Sequence, residues 1–226
     1  GWLPDDPPRP GRKLHARPMP LAGVLVAPAF APWLVAAHAW LPLAAVAIVA
    51  AIGFADDRGK ERGDGVDWRL KAAAVALAAG LAAAAVATPW REPAAFATAF
   101  ALVFVLTNAL NFLDNTDGVA AALAAVALLW LGLVGDAAAW VSAAGFCAVA
   151  FVPWNWPRPR LFLGDSGAYA LGLVLGVAVA GAARDDPRAL LTAAVPLADF
   201  AQVVCARLWL GVPPWVGDRR HLTHIA

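Results

Sequence analysis

Acid, amide and imidazole side chains gather at four places in an otherwise apolar chain: Asp56-Asp57, Asn108 to Asp117, Gly164-Asp165 and His221 to His224. Adjacent carboxylates beside hydrocarbon are costly unless a cation, a phosphate proton or a basic partner compensates them. Asp56 and Asp57, which close the apolar run Ile52-Gly53-Phe54-Ala55, therefore ask for such a partner. Lys71, at the start of the next run, is the nearest candidate; a phosphate or carboxylate contact would explain it, and so would snorkelling of its stem along the interface. In the second cluster polar groups recur every three residues, and on a helix that spacing gathers Asn108, Asn111 and Asp114 onto one face. Their oxygens are hard donors of the kind Mg²⁺ takes one or two at a time, completing its shell with water and phosphate. Asp117-Gly118 alone reads equally well as a helix cap, but capping leaves the two asparagines unexplained. Phe162-Leu163-Gly164-Asp165-Ser166-Gly167 is a Gly-flanked acid, where glycine lets backbone approach a phosphate and Asp165 is placed to hold a metal. His221 and His224 stand three apart in a basic tail with Asp218, Arg219 and Arg220, a group suited to gripping a diphosphate. Zinc is the competing use of such a pair, but no cysteine accompanies it.

The elements that position these groups follow from composition. Hydrophobic residues make up 62% of the 226 and charged residues 15%, against about 45–50% and about 25% in soluble domains. Apolar runs at 20–36, 39–55, 71–88, 94–112, 118–134, 137–153, 167–183 and 188–207 each approach the ~17–25 residues that carry a helix across a ~30 Å hydrocarbon layer. They lack the polar–apolar alternation of barrel strands, so the expectation is an all-α, polytopic transmembrane bundle of about eight spans, a single domain over residues 1–226. With the N-terminal segment inside, fourteen of the seventeen Lys and Arg fall on the cytoplasmic side and only Arg91, Arg184 and Arg188 outside, as the positive-inside rule requires. All four chemical clusters then face the cytoplasm. A net charge of +1 gives no reason to expect a nucleic-acid partner. The lipid bilayer, with its anionic headgroups, or a phosphorylated soluble substrate is the expected partner. Cys147 and Cys205 lie inside apolar runs without metal or redox spacing and read as small core residues. Trp154 and Trp156 suit an interfacial belt, and Pro28, Pro32 and Pro153 are expected to kink or end their helices. Gly172 and Gly176 form a GxxxG that suits either a compact bundle or a homodimer contact. Asp199 lies within the last run and reads equally as a functional acid or as a bond to Arg207 or a backbone amide. The opening residues do not have the charged start and apolar core of a cleavable signal, so none is expected.

Taken in order, these groups resemble the polyprenyl-phosphate N-acetylhexosamine-1-phosphate transferase superfamily, over nearly the whole chain. The resemblance rests on Arg12-Lys13-Leu14-His15 with Pro18 and Pro20, Asp56-Asp57, Asn108 to Gly118, Asn155 ahead of Phe162-Leu163-Gly164-Asp165, Pro196 with Asp199, and His221 to His224. Asp218-Arg219-Arg220-His221 is more similar to the branch that starts O-antigen, teichoic-acid and other surface glycans than to the muramoyl-pentapeptide translocase, whose loop carries a denser histidine run. The resemblance implies an enzyme of a bacterial cytoplasmic membrane that moves a sugar 1-phosphate from a UDP-sugar to undecaprenyl phosphate and releases UMP, with Mg²⁺ or Mn²⁺ as cofactor. It implies that Asn111 and Asp165 hold the metal and that Asp56 or Asp57 orients or deprotonates the lipid phosphate, with Asp114 in the same catalytic set. Lys71 and Asn108 would meet substrate, Asp117 and Phe162 the uridine, and His221, His224 and Arg220 the diphosphate. Asn115, Ala168, Thr223 and Ile225 depart from the family's usual residues. Relatives also carry a helix before Arg12 and more helix after His224, so a shortened chain is expected.

Two other enzyme classes fail on spacing. An intramembrane prenyltransferase needs a third acid four residues into its motif, where this chain has Lys60 and Phe112, and a CDP-alcohol phosphotransferase follows Asp-Gly with Ala-Arg, where this chain has Val119-Ala120. A transporter would place its polar groups near the bilayer midplane. A muramoyl-pentapeptide transferase, a non-enzymatic membrane transporter and an inactive scaffold remain the alternatives.

Overall fold

A computed structural model of the chain describes residues 3–7, 18–135 and 137–213. They form eight α-helices in an all-α bundle: α1 Val26–Ala36, α2 Trp40–Arg62, α3 Trp68–Val86, α4 Pro93–Leu113, α5 Val119–Leu133, α6 Ala139–Asn155, α7 Gly164–Ala182 and α8 Ala194–Trp209. A 3-10 turn, Gly23–Leu25, leads into α1 and another, Pro187–Ala193, into α8. Helices α2, α3, α4, α7 and the stretch Pro187–Trp209 are long and apolar enough to cross a membrane; Gly23–Ala36, Val119–Leu133 and Ala139–Asn155 are apolar but shorter. The eight runs of the sequence thus correspond to eight helices, of which five have full spanning length. Exposed tryptophans gather near both ends of the bundle, with Trp33, Trp40, Trp90 and Trp130 towards one and Trp68, Trp154, Trp156 and Trp209 towards the other. Indole rings favour the two water–lipid interfaces, with an apolar layer between them.

Helix α7 is the centre. Every residue from Asp165 to Ala180 is buried, chiefly against α4 and α2. Glycine allows the close contact with α4: a Cβ on Gly172 would lie 2.8 Å from the Leu106 carbonyl oxygen, and one on Gly176 2.7 Å from Val103 Cα. The GxxxG therefore packs on α4 of the same chain rather than on a second copy. Pro32 and Pro153 are accommodated inside α1 and α6, the latter two residues from the helix end.

Of the boundaries that differ from the sequence expectation, two matter for the site. Helix α2 continues past Ala55 to Arg62 and stops at Gly63, in the left-handed conformation at φ 89°. Helix α7 begins at Gly164 rather than 167. Asp56, Asp57 and Asp165 are consequently helical side chains with fixed directions, not loop groups. At the same end of the bundle a two-residue ribbon pairs β1, Asp5–Asp6, antiparallel with β2, Met19–Pro20. The backbone then pairs across to Phe162, whose N–H donates to the Pro20 carbonyl while its own carbonyl accepts from Ala22. At the opposite end Arg184, just past α7, bonds to Glu92 before α4 and to the Val86 carbonyl at the end of α3.

Candidate active site

The ends of α2 and α4 and the starts of α3 and α7 meet at one end of the bundle. Helices α2 and α7 touch at Gly53, where a Cβ would lie 2.5 Å from the backbone nitrogen and Cα of Ser166. One turn further along α2, Asp56 and Asp57 are both almost wholly buried. Asp57 turns toward α7, and its Oδ1 accepts the Asp165 N–H at 3.0 Å while its Oδ2 accepts the Ser166 N–H at 3.2 Å. The Gly164 N–H is directed at the carboxylate of Asp114, which stands at the C-terminal end of α4. Helix N-termini carry unpaired N–H groups and a partial positive charge, and buried carboxylates satisfy both. The glycine-flanked start of α7, which the sequence offers as a phosphate cradle, is thus already capped by two acids from other helices. Gly164 sits at φ 66°, and a Cβ there would come within 2.8 Å of Asp57 Oδ2, so the turn and the contact both need glycine.

Asp56 turns the other way. Its Oδ2 is 2.7 Å from Lys60 Nζ and its Oδ1 is 3.2 Å from Lys71 Nζ, and Oδ1 also accepts the Val66 N–H at 2.8 Å. Asp165 faces the same two ammonium groups, with Oδ1 2.7 Å from Lys60 Nζ and Oδ2 3.6 Å from Lys71 Nζ. Two carboxylates and two ammoniums form a closed square, each acid giving one oxygen to each lysine. Lys60 was not among the residues singled out from the sequence. Its spacing of four from Asp56 would have flagged it, but only once α2 is known to run through Arg62.

The other expected residues are placed as follows. Asn111 is half-buried on α4, one turn before Asp114. Asn108, a further turn back, donates its amide to the Phe104 carbonyl at 2.8 Å, so part of its bonding capacity is spent within its own helix. Asp117 is exposed in the turn between α4 and α5. Asn155 fixes that turn: buried at the end of α6, it accepts the Gly118 N–H at 2.8 Å and donates to the Leu161 carbonyl at 3.0 Å, joining it to the Phe162–Asp165 segment. Asp199 and Arg207 are both buried on α8, with the Arg207 guanidinium 4.9 Å from the centre of the Phe112 ring. Arg220, His221 and His224 lie outside the described residues, as do Arg12 to His15.

Four buried or half-buried carboxyls, on Asp56, Asp57, Asp114 and Asp165, thus face two ammonium groups among the described residues. Burial, reinforced by the charges of Asp165 and Asp57, pushes the Asp114 carboxyl well above the ordinary carboxylate range. A divalent cation would supply the same missing positive charge. Among the described residues no three acid, histidine or cysteine side chains close round a single point. Asp56, Asp165 and Asn111 present hard oxygen donors, the kind an open Mg²⁺ site takes one or two at a time with water and phosphate completing the shell.

Residues 39–182, more than half of the chain, match the family model described as glycosyl transferase family 4. The chain is 29% identical over 223 residues to a decaprenyl-phosphate N-acetylglucosaminephosphotransferase of Mycobacterium leprae, covering 80% of this chain and 56% of the relative. It is 29% identical over 121 residues to an undecaprenyl-phosphate alpha-N-acetylglucosaminyl 1-phosphate transferase of Thermotoga maritima, covering 53% and 39%. It is 34% identical over 76 residues to a phospho-N-acetylmuramoyl-pentapeptide-transferase of Clostridium kluyveri, covering 31% and 24%. The chain spans about half the length of the mycobacterial relatives it matches.

Proposed function

The chain belongs to glycosyl transferase family 4, and on that premise we propose that it transfers a sugar 1-phosphate, N-acetylhexosamine 1-phosphate in the first instance, from a UDP-sugar to a polyprenyl phosphate such as undecaprenyl or decaprenyl phosphate. A phosphate oxygen of the lipid forms a bond to the sugar-bearing phosphorus of the donor. The bond from that phosphorus to the bridging oxygen breaks, and UMP leaves with the electron pair. The observation that carries this reading is the square of Asp56, Asp165, Lys60 and Lys71, set at one end of an apolar bundle where a membrane-held phosphate and a water-soluble nucleotide can meet.

Phosphoryl transfer asks a protein for positioning and charge stabilisation more than for covalent chemistry. Asp165 and Asn111 would hold Mg²⁺, which supplies Lewis-acid stabilisation of the diphosphate when bound. Lys71 contacts phosphate. Asp56 orients the lipid phosphate, and Asp57 works at one remove, holding the first turn of α7 so that Asp165 points into the site. Both oxygens of Asp57 already accept backbone N–H groups, which disfavours a covalent intermediate on that residue and favours direct attack by the lipid phosphate. Asp114 keeps the start of α7 tied to α4. Asp117 and Phe162 are assigned to the uridine, and Arg220, His221 and His224 to the diphosphate. The Lys and Arg asymmetry supports a site on the cytoplasmic face of a bacterial inner membrane.

Membranes bearing the chain are given undecaprenyl phosphate, Mg²⁺ and radiolabelled UDP-N-acetylglucosamine, other UDP-hexosamines or UDP-N-acetylmuramoyl-pentapeptide. Label is expected in the lipid phase with a UDP-hexosamine and not with Asp165→Asn. Transfer only from the pentapeptide donor selects the muramoyl reading, and no transfer from any donor supports a transporter or inactive scaffold.

A further inference from the structure

Lys60 and Lys71 bridge the same two carboxylates but are not equivalent. Lys60 Nζ donates a charge-assisted hydrogen bond to Asp165 Oδ1 at 2.7 Å and lies as close to Asp56 Oδ2 as an ion pair, whereas Lys71 Nζ is 3.2 and 3.6 Å from the opposite oxygens. The Lys60 side chain is 43% exposed and the Lys71 side chain 22%. Lys60 also stands two residues before the end of α2, so its stem can turn outward while the helix stays in place. Lys71 is hemmed in at the first turn of α3.

Resting on the reading of Asp165 as a metal ligand, we propose that Lys60 is a tethered counter-ion that competes with the divalent cation for Asp165 Oδ1, and that cation entry turns its ammonium onto the donor diphosphate. A metal bound to Asp165 Oδ1 would sit at about 2.0–2.1 Å, which brings it within a few ångströms of an ammonium still held there. Two positive centres that close repel each other. Lys60, the more exposed of the two, is the group that yields, and Lys71 remains to hold Asp56. Metal and donor binding are thereby coupled: the cation displaces the lysine, and the displaced lysine adds a positive charge where the nucleotide's phosphates arrive. No bond is made or broken in this step. Lys60 acts on the metal as a positioning residue, and its phosphate contact follows from its release.

Mn²⁺ is titrated by electron paramagnetic resonance into the full chain in nanodiscs without donor or acceptor. Lys60→Met is expected to bind Mn²⁺ about tenfold more tightly than the native chain, because a competing charge-assisted contact is gone, while Lys60→Arg stays near native. With metal saturating, UDP-N-acetylglucosamine is expected to bind Lys60→Met about tenfold more weakly. On the native chain, Mn²⁺ is expected to raise the acylation of Lys60 by an amine-directed reagent, read by peptide mass spectrometry, without raising that of Lys71; this arm does not depend on a variant folding. Mn²⁺ affinity unchanged or weakened in Lys60→Met, or metal that leaves Lys60 acylation unchanged or protects it, overturns the proposal. Either failure leaves the transferase reading intact, since lipid labelling tests that separately, and failed labelling leaves the metal competition standing.

Discussion

Asp57 on α2 accepts hydrogen bonds from the backbone of Asp165, 108 residues further along the chain, and of Ser166 beside it. One of the two acids that the sequence offers to orient or deprotonate a lipid phosphate thus also holds the backbone of another acid. Asp57→Ala is expected to cost on the order of 2–3 kcal/mol of stability, since it strands two buried N–H donors. Asp57→Asn should cost roughly half as much, keeping one acceptor. Unfolding of the purified chain in mild detergent with increasing dodecyl sulfate measures the difference. Equal losses for the two variants would show that the cap carries no weight.

The crossing of α2 and α7 leaves no room at Gly53. Gly53→Ala places its Cβ against the backbone of Ser166, and neither helix can yield locally. A loss of about 1–3 kcal/mol is expected, with transfer activity falling further because Asp56 and Asp57 lie one turn away. Gly80→Ala on α3 is the control: a Cβ there meets nothing within 4 Å, and stability should be unchanged or slightly raised.

Asp114 gives a pH signature. Its carboxyl is held well above the ordinary carboxylate range in the folded chain by burial and by Asp165 and Asp57. The folded state then binds more protons than the unfolded one between the ordinary and the raised value, so stability falls as pH rises through that window. Thermal melts in the presence of chelator should show the fall in the native chain. Asp114→Asn, which keeps an acceptor for the Gly164 N–H but cannot ionise, should flatten it. A native profile with no such slope rules out the raised carboxyl.

Chelation should abolish lipid labelling, and Mg²⁺ or Mn²⁺ should restore it. Asn111→Ala is expected to raise the half-restoring metal concentration about tenfold. Asn108→Ala should change it little, because the Asn108 amide is already bonded to Phe104. A larger effect at Asn108 than at Asn111 would reverse their assignments.

The helices and the clustering of chemistry at one end were legible in the sequence, since a bilayer-length apolar run announces itself and polar groups at its ends stand out. The internal wiring of the cluster was not. Asp56 and Asp57 read as the start of a loop because two charges ordinarily end an apolar helix. Pairing Asp56 with Lys60 and Lys71, and spending Asp57 on α7, lets α2 run on to Arg62. Lys60 stayed hidden for the same reason, as did the true start of α7, whose cap comes from α2 and α4 rather than from the residues before it. The partner of Gly172 and Gly176 was equally invisible, because a stripe of small residues shows that something packs closely without showing what.

The position of α7 has a consequence for biogenesis. Of the five helices long and apolar enough to cross a membrane it has the lowest mean hydropathy, 1.4, and the largest buried share, 89%. A segment that meets almost no lipid in the finished protein is under little pressure to dissolve in lipid by itself. Its Asp, Ser, Gly and Tyr residues make it a reluctant passenger at the insertion machinery, held until α2 and α4 are in place to receive its glycine face. Completion of the reaction centre and final integration of the chain are then one event, so a lesion that slows α7's arrival would show as degraded protein before it showed as a slow enzyme.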